Sequence, residues 1–203
     1  MKSRLLVSSV GLASALTFGL GACSDPNQGI TISPVIADTL TVFALTGTSP
    51  SFPAAYLASS GAVTRADGNF NFDVAFDIDP SRNIVIYPQR LVGVPCILGA
   101  LLCGGSAGAK PVGLQRITVA FDSLERAPGS NYQFDSSFVL TPGQGLVMQV
   151  QSSSECQFSF STVLYTKFVV DSIDVTRRAI YFRAVHDPNC GYRNLVIGAV
   201  PKN

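Results

Sequence analysis

Histidine occurs once in these 203 residues, at position 186, and its scarcity removes whole classes of chemistry. A histidine-first catalytic triad has no histidine ahead of Ser106 to begin it. His186 with Cys156 and Cys190 falls short of the four ligands that close a structural zinc site. Charge is scarce as well: Asp, Glu, Lys and Arg make up 13% of the chain, against roughly 25% in ordinary soluble domains. The 14 basic and 13 acidic side chains nearly cancel and form no basic run. Nucleic-acid phosphates demand clustered Lys and Arg, so a nucleic-acid partner is excluded. There is no EF-hand spacing and no nonapeptide calcium repeat. Connecting helices of the βαβ kind are missing, which sets aside a parallel α/β sheet. The leading apolar stretch, Leu5 to Gly19, is too short to cross a bilayer core of roughly 30 Å.

What is present begins with that stretch. Lys2 and Arg4 give it a positive start, and it ends in Leu20-Gly21-Ala22-Cys23, so residues 1–22 read as a cleaved leader. Leu20, Gly21, Ala22 and Cys23 together resemble the lipobox of bacterial lipoproteins. The resemblance implies cleavage before Cys23, a diacylglyceryl group on its sulfur and acylation of the new amine. It also implies delivery to the outer membrane, because Ser24 stands where aspartate is the inner-membrane retention signal. Each buried methylene contributes about 0.8 kcal/mol, so two or three acyl chains hold a protein where one binds reversibly. Asp25 to Gly29 is polar and turn-forming, a tether that ends the lipidated segment 23–29. Residues 30–203 are then one domain, large enough for a sizeable core. Losing Lys2 and Arg4 takes the formal charge from +1 to −1.

Lipidation of Cys23 leaves four cysteines, Cys96, Cys103, Cys156 and Cys190. An even number in an exported chain predicts disulfides. Of the three connectivities, the favoured one joins Cys96 to Cys103 across a small local loop and Cys156 to Cys190 between two late strands.

The periodicity is that of an all-β fold. Phe70, Phe72, Val74, Phe76 and Ile78 alternate with Asn71, Asp73, Ala75 and Asp77, which predicts a half-buried antiparallel strand. Asp79-Pro80-Ser81-Arg82-Asn83 is turn chemistry, and Ile84 to Tyr87 closes a hairpin. Further strands are predicted over Thr39–Leu45, Gly145–Gln151, Gln157–Asp171 with one break, Ala179–Val185 and Leu195–Val200. Leu114 to Ala127 is assigned to strand, although Leu114, Ile117, Phe121 and Leu124 also fit a helical stripe. Ala54 to Ser60 suits one or two helical turns. Eight to ten short strands in one domain give a single antiparallel β-sandwich, with a β-barrel as the alternative. Ile173-Asp174-Val175-Thr176-Arg177 echoes Ile78-Asp79-Pro80-Ser81-Arg82 in form, and both read as strand-turn-strand corners.

Candidate chemistry is thin. Gly104-Gly105-Ser106-Ala107-Gly108 matches the nucleophile-elbow string, but a cysteine loop precedes it and Lys110-Pro111 follows where a helix is needed. His186 beside Asp187 completes a formal set of triad residue types with Ser106. Asp73, Asp77 and Asp79 share one predicted face that a calcium ion would need further oxygens to occupy. Ile97, Leu98, Leu101 and Leu102 are apolar inside a predicted disulfide loop, as a plug over the β-core or a contact finger. The sequence thus points to a non-enzymatic envelope lipoprotein, without metal or cofactor, whose domain binds an envelope protein or is structural. The alternatives are a β-barrel carrier of an apolar ligand, with Ile97 to Leu102 near its mouth, and a Ser106 hydrolase.

Overall fold

The computed structural model describes residues 32–66, 71–92, 110–134, 136–152, 155–157, 159 and 161–201. The leader with Leu20, Gly21, Ala22 and Cys23, the Cys96–Cys103 pairing, the apolar loop Ile97, Leu98, Leu101 and Leu102, and Ser106 lie outside these residues.

The described residues form eleven strands: β1 (Ile36–Phe43), β2 (Ala55–Leu57), β3 (Ala62–Thr64), β4 (Val74–Ile78), β5 (Ile84–Pro88), β6 (Val112–Arg116), β7 (Gln133–Phe134), β8 (Phe138–Leu140), β9 (Gly145–Gln151), β10 (Val163–Asp174) and β11 (Ala179–Asp187). They form two antiparallel sheets, one in the order β1-β11-β10-β9-β6-β7 and the other β3-β2-β4-β5-β8. The barrel alternative is thereby corrected. Each sheet keeps two edge strands, β1 and β7 in one and β3 and β8 in the other, so neither closes on itself.

The sheets face each other across one core. Val74, Phe76 and Ile78 of β4 and Ile84 and Ile86 of β5 meet Leu146 and Met148 of β9, Phe168 and Val170 of β10, and Ile180 and Phe182 of β11. Phe76 stacks on Phe182 at 5.2 Å between ring centroids, and Tyr56 of β2 meets Phe168 and Phe182 edge-on.

A second layer covers the outer side of the six-stranded sheet. Val147, Tyr165 and Val185 point away from the central core and pack with Val35, Ala127 and Leu195. Lys167 shares that outer row, yet it is only 3% exposed. Its ammonium donates to the carbonyls of Phe121 and Leu124 at 2.9 and 2.8 Å and lies 4.6 Å from the Phe121 ring. These carbonyls flank the end of a 3-10 turn at Phe121–Ser123, where partial negative charge suits a cation. Burial pushes the Lys167 ammonium pKa down, while Asp122 and Glu125 pull it back up.

Several predicted elements move. Ala54 to Ser60 contains β2 rather than helical turns, because Ala55 and Tyr56 pair with β4 on one side and β3 on the other. The Leu114 stretch divides: β6 ends at Arg116, and Ile117, Phe121 and Leu124 continue as the covering layer. Leu195 to Val200 forms no strand; Leu195 is buried in the outer layer, and the segment exchanges backbone bonds with Val35 through Gly198 and Ala199. The long late strand begins at Val163, not Gln157, and runs to Asp174 with a bulge between Val170 and Ser172. The β4–β5 hairpin stands, but Phe72 leaves its row. It packs with Ala55 and Ala75 on the opposite face, so the alternation changes phase at Asp73. Both echoed corners are turns, with Asp79 accepting from the Asn83 amide and Asp174 from the Arg177 amide.

Candidate functional site

The two ends of the sandwich are closed by different charge networks. At one end Arg178, from the β10–β11 turn, crosses to the other sheet. Its guanidinium donates to Asp77 Oδ1 at 3.0 Å, to the Ile78 carbonyl at 2.9 Å and to the Thr46 carbonyl at 2.7 Å. Asp77 also accepts from the Thr46 hydroxyl.

The opposite end concentrates the unusual side chains. Asp73 immediately precedes β4 and is 1% exposed. Its Oδ2 accepts from the Ala58 amide at 2.6 Å, whereas its Oδ1 accepts no hydrogen bond from the described residues. Lys110 leads into β6 of the other sheet and brings its Nζ to 3.8 Å from that Oδ1. The same Nζ stands 3.6 Å from Glu155 Oε1. Ser152, fully buried at the end of β9, donates its hydroxyl to Glu155 Oε2. Burial pushes the Asp73 carboxyl up toward its protonated form; the Ala58 amide and Lys110 oppose this, and Glu155 reinforces it.

Beside this cluster the Cys156–Cys190 disulfide joins the loop after β9 to the turn after β11. It bears out one of the two predicted pairings. Next to it, Asn189 exchanges two hydrogen bonds with the Ser33 backbone, donating to the carbonyl at 2.7 Å and accepting from the amide at 2.9 Å. Asp187 Oδ1 orients Asn189 from its backbone and side-chain N–H groups.

Among the described residues, the side chains that sequence put together as candidate chemistry find other partners, and Ser106 lies outside those residues. His186 and Asp187 are neighbours on β11 and therefore point to opposite faces. His186 turns inward against Gly61 at the β2–β3 turn, and burial lowers its pKa. Asp187 faces the Asn189 clamp instead. Cys156 and Cys190 are bonded to each other, which takes their sulfurs out of any zinc set with His186. The three aspartates of the imagined calcium face also part company, Asp73 to Ala58, Asp77 to Arg178, and Asp79 to its own turn.

No protein-family model, curated protein or solved structure matches the chain. Its chemistry has to be read from its own residues. Lys110 and Glu155 had no sequence signal, being single charges beside loops. Lys167 did have one, as the lone cation inside the apolar run Val163 to Val170.

Gly61 provides a direct check on the histidine's place. It sits at φ +65°, and a Cβ there would lie 2.1 Å from His186 Cε1. Gly61→Ala should cost about 2–3 kcal/mol, combining left-handed strain with overpacking, as read by urea unfolding. A loss below about 0.5 kcal/mol would mean that His186 does not pack on this turn.

Proposed function

We propose that the chain is a lipid-anchored envelope protein whose two-sheet domain serves as a binding or structural module rather than an enzyme. One observation carries the reading: Ser33, ten positions after Cys23, is gripped on both backbone sides by Asn189, next to the disulfide. Load arriving from an acylated Cys23 would pass into β11 and the cross-linked turn rather than into a frayed terminus. Val35 adds to the grip through its backbone bonds with Gly198 and Ala199. A disulfide of this kind suits an oxidising envelope compartment. The contacts among the buried rings of Tyr56, Phe76, Phe168 and Phe182 favour a surface-acting module over an interior carrier. Three hollows lined by described residues involve the outer face or edge of the six-stranded sheet and its covering loops, the roomiest, about 310 Å³, lined by Glu125, Arg126 and Tyr192 to Asn194.

The test is Cys23→Ala in cells that make the protein. Wild-type protein is expected wholly in the membrane fraction, with a mass corresponding to cleavage before Cys23 and acylation. The variant is expected to appear in the soluble fraction or to accumulate with its leader uncleaved. Wild-type protein without acyl groups sinks the anchor. Fluorophosphonate labelling that Ser106→Ala abolishes sinks the non-enzymatic reading.

A further inference from the structure

The Asp73, Lys110 and Glu155 cluster has an asymmetry that a simple ion pair leaves unexplained. Asp73 is nearly inaccessible, and only one of its two oxygens is satisfied. The satisfied one, Oδ2, has the Ala58 amide 2.6 Å away. The unsatisfied one, Oδ1, faces Lys110 Nζ at 3.8 Å, too far for a hydrogen bond. A buried acceptor without a donor is unfavourable. Two carboxyl groups also flank one ammonium, and Glu155 is oriented by Ser152 with its other oxygen toward Nζ.

We propose that Lys110 and Asp73 are joined by an intramolecular amide bond, formed by attack of Lys110 Nζ on Asp73 Cγ with Glu155 transferring the protons. Glu155 takes one proton from the Lys110 ammonium, and the freed nitrogen lone pair forms the N–C bond to the protonated Asp73 carboxyl. The Ala58 amide stabilises the oxyanion that develops on Oδ2. Glu155 returns its proton to Oδ1, the Cγ–Oδ1 bond breaks, and Oδ1 leaves as water. Glu155 then accepts the second nitrogen proton and releases it to solvent. Nothing is oxidised or reduced, and the other products are one water molecule and the proton released to solvent. Burial favours the protonated acid from which a hydroxyl can depart.

The product removes the asymmetry. The oxygen that leaves is the one lacking a donor, and the one that stays keeps its hydrogen bond to Ala58. The link would tie the start of β4 to the start of β6, and so one sheet to the other, at the end where the disulfide already lies. This inference does not depend on the lipid anchor.

The experiment is peptide mass spectrometry on the full chain purified from producing cells, reduced, denatured and digested with trypsin. Peptides 66–82 and 91–116 carry the two residues, since trypsin leaves Lys110 uncut ahead of Pro111. The expected species is the two peptides joined, one water lighter than their sum, with fragments placing the link on Asp73 and Lys110. The two peptides found separately at unmodified mass would overturn the proposal, as would a link between other residues. Glu155→Gln should leave the peptides unjoined while its circular dichroism matches wild type. Joining of that variant to the same extent would remove Glu155 from the step. Lys110→Arg, which keeps the charge without a comparable nucleophile, should never join.

Discussion

Replacing Cys156 and Cys190 together by serine is expected to lower the free energy of unfolding by about 3–4 kcal/mol. The two cysteines lie 34 positions apart, and a closed loop of that length removes this much chain entropy from the unfolded ensemble in the loop-closure treatment. The native side of the balance changes less, because the neighbouring backbone has its own support. Ser152 donates to the Thr162 carbonyl at 2.6 Å, and Gly191 donates to the Val163 carbonyl at 2.7 Å. The double variant should therefore fold, with its guanidinium midpoint reduced. Wild-type protein unfolded in reductant should move to the same midpoint. Agreement between the two curves would assign the effect to the bridge; a reduced protein as stable as the oxidised one would show that the loop is held by its other contacts. The Asn189 grip on Ser33 sits one residue from Cys190, so proteolysis near residue 33 should accelerate in the double variant.

That bridge was legible in the sequence because cysteine count and export context restrict the choices before any geometry is known. The hairpin of β4 and β5, and β9 at its full length, were legible for another reason: β4 alternates, Asp79 to Asn83 is turn chemistry, and β5 and β9 are short apolar runs bounded by turn residues. Sandwich and barrel, by contrast, are told apart by which strands become neighbours. The pairing of β1 with β11 joins opposite ends of the described chain, and no local pattern encodes it. β2 was hidden because three residues carry too little period to be told from a helical turn.

Asp73 was misplaced for a sharper physical reason. Strict alternation assigned it, with Asp77 and Asp79, to a wet face, and for Asp77 and Asp79 the assignment leads to surface networks and turn bonds. At Asp73 the row changes phase. Phe72 crosses to the Ala75 side, the Ala58 amide reaches in, and the carboxyl is enclosed. A burial of this sort depends on groups brought from the residue after β2, from Lys110 two residues ahead of β6 and from the loop after β9, so it becomes visible only when both sheets are assembled. Lys167 belongs to the same class, with its carbonyl partners more than forty positions away in sequence. The candidate site was thus the least readable part of the fold, since it consists of charges whose meaning is entirely tertiary.

Phe182→Ala is expected to destabilise the domain by about 3–5 kcal/mol, as deletion of a large buried ring does where the surroundings relax incompletely. Phe182 is 0% exposed. It belongs to β11 but meets the other sheet through Phe76, stacked at 5.2 Å, and Tyr56, edge-on at 6.3 Å, while Phe168 flanks it within its own sheet at 6.3 Å. Neighbours held in two hydrogen-bonded sheets cannot close on the vacated volume without shifting whole strands, so a cavity term should add to the lost burial. Phe182→Leu retains most of the volume and should cost clearly less. A double-mutant cycle with Phe76→Leu isolates the stacking, with a coupling of about 0.5–1.5 kcal/mol. Urea titrations of the four proteins supply both numbers. A cost for Phe182→Ala under about 1 kcal/mol, with no coupling to Phe76, would mean that the two sheets do not interlock through this ring.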